Sequence, residues 1–464
     1  MTLPLTNGVF TMLVNNSPWI AQLKRARASD RLQADIETDV AVVGGGIAGV
    51  ATAYYILKNT NQNVVILEGR KLAHGATGHN AGQVVSYFER SFSSIVSEYG
   101  LTKAVQAQSL VEDAWVLLEE IFKEAQLTLP FSQFNGFAGL SRREQLLRFL
   151  EDNRLKRKGG LVPEHIFIAE EMVKNLKLPH IYNQFYSILP HRDVLALLES
   201  KNPSYIAALS GRKGCLNSAL FCEELVGFLL AKYKKRFRLF EHSKVDSIHL
   251  HEGFAMLRVD TNFVNAKHVV LCTNGFEQFT LLNWAGKQLN HQFHDSVKGV
   301  VGFMVGFFTE VSRPATAISY FPKEAVHAED GYFYFTRRVY ENSNGESRNL
   351  ICIGGPEKVL DDKAHYHRYE QDHPDTAITA INEFLERDVA NVPAVLNHEF
   401  RWHGLMGYTP NLLRVVGPDP VNSVLLYNLG CNGVGILPSV MGGNKISRHI
   451  GGQKMSPTIF DPKR

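Results

Sequence analysis

Apolar residues along this chain follow two rhythms. Short unbroken runs, clearest at Val40–Val43 and Val64–Leu67, have the length and branching of strands buried on both faces. Between them Ile47–Lys58, rich in Ala, Ile and Leu, predicts a helix. Apolar residues at helical spacing predict further helices over Leu101–Glu124, Ser218–Lys232 and Thr376–Arg387. A charged amphipathic helix is expected after Ser141, which is placed to cap it. Strands are expected at Gln133–Leu140, within Arg238–Val259, and at Val297–Phe308, Gly331–Arg338 and Asn349–Gly354. His268–Phe276 reads as an apolar strand running into a polar Thr-Asn-Gly turn.

The first strand–helix–strand unit carries a second pattern. Gly44, Gly46 and Gly49 give G-x-G-x-x-G directly after the strand, and Glu68 closes the second strand 19 residues after Gly49. The three glycines answer three steric demands. Gly44 permits the tight turn, Gly46 lets a pyrophosphate approach the backbone, and Gly49 lets helix and strand pack closely. The helix start offers free N–H groups and a positive dipole end to phosphates. Glu68 is placed to accept ribose hydroxyls and would repel a 2′-phosphate, which disfavours NADP.

After Glu68 the regular β–α alternation of a nicotinamide dehydrogenase stops, and a loop rich in small residues follows. Gly-rich turns after apolar strands return at Asn274-Gly275 and Gly430–Gly435. A nucleotide domain assembled from separated segments is therefore expected, with a second domain inserted, and this layout favours FAD over NAD. The expected division is an N-terminal arm (1–35), an FAD-binding domain (36–130, 211–285 and 396–464) and a substrate domain (131–210 and 286–395). The fold class is α/β.

Composition narrows the function classes. A net charge of +3 over 464 residues is too small to suggest nucleic acid or an anionic membrane as partner. No apolar run approaches membrane-spanning length, and the first 30 residues lack a signal-peptide layout. Five cysteines form no C-x-x-C pair, so no metal site is expected, and a reducing compartment such as the cytoplasm is. His365, His367 and His373 read as part of a solvated, charged loop.

Six motifs in order now resemble the FAD-dependent D-amino-acid oxidase family, in particular its glycine oxidase, sarcosine oxidase and gamma-glutamylputrescine oxidase-like members. They are the glycine fingerprint with Glu68, "GATGHNAGQ", "VVLCTNG", "GYFYFTRR" with "RNLICIGG", "RWHGLMGYTPN", and "GCNGVGI" opening a helix. The resemblance implies a Rossmann-like FAD-binding domain, an α+β substrate domain built on a large mixed β-sheet, and bound FAD, held non-covalently, with Gly44, Gly46, Ile47, Ala48, Gly49, Glu68, Gly69 and Arg70 around the ADP half. It implies that Lys244 and Val245 lie by the adenine. Thr77, Gly78, His79, Asn80, Ala81, Gly82 and Gln83 would wrap the pyrophosphate and flavin edge. Thr273, Asn274, Gly275 and Gly404 complete the expected lining. Asn432, Gly433, Val434, Gly435 and Ile436 would bring backbone N–H groups and a helix N-terminus to the flavin. His79 stands where some dehydrogenases of the group join FAD covalently, which leaves such a bond open. Asn411 and Arg414 depart from the family's usual Asp and Pro.

The resemblance implies oxidation of a C–N bond in a small amine or amino acid to an imine, followed by hydrolysis, with O2 or another electron acceptor restoring the cofactor. A carboxylate-bearing substrate wants one fixed arginine. Arg337 and Arg338 end the "YFYFTRR" strand where glycine oxidase-like sequences carry such an anchor. Strand alternation puts Tyr332, Tyr334 and Arg338 on one face and Phe333, Phe335 and Arg337 on the other, and Tyr332 and Tyr334 join the two arginines as candidate catalytic residues. Which arginine faces the flavin stays open, as do the substrate, the choice of oxidase or dehydrogenase, and the oligomeric state. The alternatives are a flavin subunit of a larger dehydrogenase and a non-catalytic FAD-binding protein.

Overall fold

Ile36–Val43 lies at the centre of a sheet, parallel both to Val64–Leu67 and to Asn262–Leu271. Its burial rises along its length until the last four residues are wholly enclosed, as a strand covered on both faces requires. The computed structural model describes residues 15–24, 27–276, 278–289, 297–309, 313–323, 331–341, 345–360, 374–393 and 396–463. His365, His367 and His373 lie outside the described residues.

Among the described residues the first sheet has nine strands. Phe237–Phe240 extends it beyond Val64–Leu67 in parallel. On the other side, Asn262–Leu271 pairs antiparallel with Ala255–Val259 through its first half and parallel with Leu425–Leu429 through its last three residues. The chain therefore leaves this sheet after Val64–Leu67 and returns to complete it from distant segments. The helices Ile47–Asn59 and Ile436–Ile450 cover one face. They approach so closely that a Cβ on Gly443 would sit 2.8 Å from the Ala51 backbone.

The second sheet is mixed and has ten described strands. At its centre Lys298–Thr309, Ser347–Leu360, Phe333–Glu341 and Thr316–Phe321 lie side by side, each antiparallel to the next. Thr316–Phe321 then pairs parallel with Phe131–Leu140, which pairs antiparallel with Ala207–Leu216. The strand expected to end at Gly354 runs on to Leu360.

Strand pairing redraws two expected boundaries. Phe400–Tyr408 pairs along its whole length with Lys298–Thr309, so it belongs to the second sheet and not with 396–464 in the nucleotide domain. Ala207–Leu216 is one continuous strand of that sheet, and a boundary at 211 would cut it. The charged helix also begins differently. It spans Arg143–Lys158, and the Gln145 side chain, not Ser141, accepts the Ser141 and Arg142 N–H groups. The Ser141 hydroxyl donates instead to the Phe321 carbonyl at 2.7 Å.

The described part of the N-terminal arm is pinned to this framework by Trp19, which is wholly buried. Its indole N–H donates to the Asn80 carbonyl at 2.6 Å, and Trp402 donates to the same oxygen at 3.3 Å. The two rings meet edge to face.

Candidate active site

A cavity of about 1650 Å³ runs from the carboxyl ends of the central strands to the underside of the second sheet. Ordinary small-molecule pockets hold some 300–1,000 Å³, so this one has room for an extended dinucleotide and a substrate beside it.

The nucleotide end is built by backbone. Gly44 has φ +108°, and a Cβ there would lie 2.7 Å from the Cys272 carbonyl. A Cβ on Gly49 would overlap the Gly44 carbonyl, so helix and turn pack only without side chains. The helix starts at Gly46 with no side-chain cap. The Thr77 hydroxyl accepts from the Ile47 N–H at 3.0 Å and ties the small-residue loop to the helix start. The remaining first-turn N–H groups leave an anion site open to the cavity. Glu68 accepts from the Gly45 N–H at 2.7 Å and the Arg70 N–H at 2.8 Å. Burial raises its proton affinity, and those two amides hold it back. Its carboxylate faces the cavity together with Lys244 and Val245.

The loop around residues 77–82 is held by Asn80, whose amide donates to the Thr77 carbonyl and the Ser218 hydroxyl, both at 2.8 Å, while its Oδ1 accepts from the Gly82 N–H at 2.7 Å. His79 Nδ1 lies 3.0 Å from the Gly75 carbonyl, and burial lowers the proton affinity of its ring. Gly404 is needed because a Cβ there would overlap the His79 carbonyl.

Two further turns meet this loop. The Asn274 side chain accepts from the Cys431 N–H at 2.7 Å, binding the turn after Asn262–Leu271 to the turn before Ile436–Ile450. Asn274 and Asn432 both take positive φ, and Gly433 has φ +75°. The Ile436–Ile450 helix begins at Gly435 without a side-chain cap, and Gly433, Val434, Gly435 and Ile436 line the cavity. The expected FAD fits this cradle on its own features: two uncapped helix starts, close-approach glycines, and a buried Thr273 hydroxyl with no hydrogen-bond partner among the described residues. Gly49, Gly78, Gly275 and Asn432 do not line the cavity. Asn432 works from behind, its Oδ1 accepting from the Thr409 N–H at 2.7 Å. Arg414 lines the cavity and donates to Asn428 Oδ1 at 2.6 Å.

The expected arginine anchor needs correction. Alternation places the residues as the strand pattern requires, and Tyr332 and Tyr334 line the cavity, but neither Arg337 nor Arg338 does. Arg337 forms a two-pronged ion pair with Glu199, both bonds 2.7 Å, and also donates to the Pro314 carbonyl. Arg338 donates to Gln22 and stacks 4.5 Å over Trp19, buried beneath the N-terminal arm. Both guanidiniums are committed to structure.

The far end of the cavity joins Tyr332 and Tyr334, both expected there, to Glu89, Lys213 and Glu357, which sequence patterning did not single out. Tyr332 donates to Glu89 Oε1 at 2.7 Å. Lys213, only 6% exposed, donates to the Phe137 carbonyl at 3.0 Å and the Ser319 hydroxyl at 3.2 Å. Burial lowers its proton affinity to about 7, with Glu89 opposing the shift. Glu357 is raised to about 7 by burial and then by Glu89. Tyr87, Tyr334 and Tyr408 complete the wall, each phenol pushed up by burial. A Cβ on Gly433 would lie 2.8 Å from both Glu89 and the Tyr408 hydroxyl, so this polar box abuts the flavin-side turn.

Comparison with known proteins bears on the same residues. The family described as "FAD dependent oxidoreductase" (DAO) matches residues 39–448. Gamma-glutamylputrescine oxidoreductase of Escherichia coli (strain K12) is 28% identical over 139 residues, 30% of this chain and 32% of that protein. The aligned stretches span about a third to somewhat over half of the curated relatives' own lengths. L-proline dehydrogenase from P. horikoshii superposes with a TM-score of 0.65 at 15% identity, over 92% of this chain and 97% of that one. Glycine oxidase from Geobacillus kaustophilus does so with a TM-score of 0.62 at 17% identity, over 92% and 99%. At such identities the solved structures speak for the fold.

Proposed function

This chain belongs to the FAD-dependent oxidoreductase family, so FAD is its cofactor, and from that premise we propose that it oxidises the C–N bond of a small amine or amino acid to an imine, which water hydrolyses. FAD supplies the two-electron acceptor; the protein supplies position and electrostatics. The observation that carries the proposal is the junction at Gly433, where a dinucleotide cradle opens directly onto the titratable box of Glu89, Lys213, Tyr332 and Glu357.

Amines reach neutral solution as ammonium ions, yet only the free base has the lone pair that oxidation uses. A proton must therefore leave the substrate inside the cavity. Lys213, held near 7, has the proton affinity that such a transfer needs at neutral pH. Glu89 and the phenols orient the nitrogen beneath the second sheet. The cradle's backbone would hold FAD without a covalent bond. A purely structural cofactor would predict an apolar cavity end, and this polar box argues against that alternative.

O2 or another acceptor would complete the cycle. The cytoplasm is the compartment proposed, supported by five cysteines that remain thiols. No helix among the described residues is long and apolar enough to cross a membrane. Anaerobic mixing of the FAD-loaded protein with a panel of amines and amino acids tests the reading. Loss of visible flavin absorbance with at least one of them is expected, and a panel that leaves the spectrum oxidised throughout would sink it.

A further inference from the structure

The polar box is unevenly charged. Lys213 and Glu89 compensate one another electrostatically, and Tyr332 donates a hydrogen bond to Glu89. Glu357 stands apart. It lies opposite Gly302 on the neighbouring strand, next to a bulge, and its side chain reaches the cavity. Among the described residues no hydrogen bond or ion pair to it is found, whereas the neighbouring Glu89 is held by Tyr332. Gly302 keeps the space in front of it open: a Cβ there would meet the Tyr334 hydroxyl at 3.3 Å and Met406 at 3.1 Å.

A carboxylate kept in a cavity without a partner costs stability, unless a ligand supplies the missing cation. Its surroundings suit an organic ammonium. Tyr334 and Tyr408 lie close enough for their phenols to feel its charge, and the faces of aromatic rings attract alkylammonium groups. Arg337 and Arg338, the arginines expected from the sequence to receive a substrate carboxylate, are engaged elsewhere.

Resting on the amine-oxidation reading, we infer that the substrate is an amine with a second cationic nitrogen, a diamine or a longer polyamine, and that Glu357 is the specificity residue receiving that second ammonium. One nitrogen is oxidised at the cofactor; the other is held by Glu357 between the phenols.

Anaerobic isothermal titration of the FAD-loaded protein, kept reduced with dithionite so that no amine can be oxidised, with 1,4-diaminobutane, n-butylamine and 4-aminobutanoate tests this without turnover. The diamine is expected to bind at least about tenfold more tightly than the monoamine, the ratio a charge-assisted hydrogen bond supports. In Glu357→Gln, which keeps the side chain's shape, that ratio should collapse towards one, and Glu357→Asp should restore part of it. An unchanged ratio in Glu357→Gln, or tighter binding of the amino acid than the diamine, overturns the inference. Anaerobic bleaching measured alongside separates the two readings. Diamine binding that depends on Glu357 but never bleaches the flavin removes amine oxidation and leaves the recognition site. Bleaching with no preference for the diamine does the reverse.

Discussion

The Tyr332 hydroxyl donates a 2.7 Å hydrogen bond to a buried carboxylate oxygen of Glu89. Burial pushes Glu89 up, and this bond is the first influence pulling it back. Tyr332→Phe removes the donor and leaves a buried acceptor short of a partner, which costs about 1–3 kcal/mol. Because the bond favours the ionised form, its loss moves the carboxylate further up. Amine binding that needs Glu89 ionised should then set in at higher pH, by about one unit for each 1.4 kcal/mol lost. Amine affinity measured from pH 5 to 9 in both proteins checks this. An onset that stays put, or moves to lower pH, contradicts the assignment.

Lys213 gives a second pH dependence, of the opposite kind to a stabilising ion pair. Its folded-state proton affinity, about 7, lies below that of an unfolded lysine. Below pH 7 both states carry the proton, and the folded state bears the cost of a buried charge. Between 7 and the unfolded value the unfolded chain binds more protons, so stability from this group rises with pH. Lys213→Met should therefore be more stable than the parent at pH 6, with the advantage shrinking towards pH 10. Paired thermal melts across that range test it, and an advantage that grows with pH would reverse the sign of the argument.

These residues show where sequence ceases to be readable. The cradle was legible because its demands are local. Gly44, Gly46, Gly49 and Glu68 sit within one strand–helix–strand unit, and backbone sterics fix their spacing. Glu89, Lys213 and Glu357 sit on three distant segments, each indistinguishable in sequence from an ordinary surface charge. Only the pairing of Phe131–Leu140 with Ala207–Leu216 brings the Lys213 stem over Gly136, where any side chain would collide with it. The strand carrying Arg337 and Arg338 was legible, and so was its alternation. The partners that claim the two guanidiniums, Glu199 and the Trp19 arm, come from parts of the chain that no local pattern connects to it.

Arg337 accordingly belongs to the stability of the second sheet. Its side chain is 5% exposed and that of Glu199 is 22% exposed. Removing one partner of a buried pair costs about 3–5 kcal/mol, and the partial exposure of Glu199 brings the expectation for Arg337→Met down to about 2–3 kcal/mol. Urea denaturation should register that loss. The preference among amine and amino-acid substrates should not change, and a selective loss of affinity for carboxylate-bearing ones would restore the anchor role.

Gly44 puts the cradle itself to the test. At φ +108° an alanine is strained, and its Cβ would stand 2.7 Å from the Cys272 carbonyl, a backbone atom of the adjoining segment. Neither cost can be relieved by rotating a side chain, so the turn must move. Moving it displaces Gly46 and the Ile47 amide, the start of the helix that would face the phosphates. Gly100→Ala is the matched control. Gly100 also has positive φ, +83°, but a Cβ there meets nothing within 4 Å and lies outside the cavity. Both variants should lose stability through backbone strain, of the order of 1 kcal/mol. Only Gly44→Ala should also lose FAD, read as a fall in the ratio of visible to ultraviolet absorbance and a smaller rise in Tm when FAD is added back. Gly44→Ala protein that purifies with its full complement of FAD would mean that the glycine turn does not hold the dinucleotide.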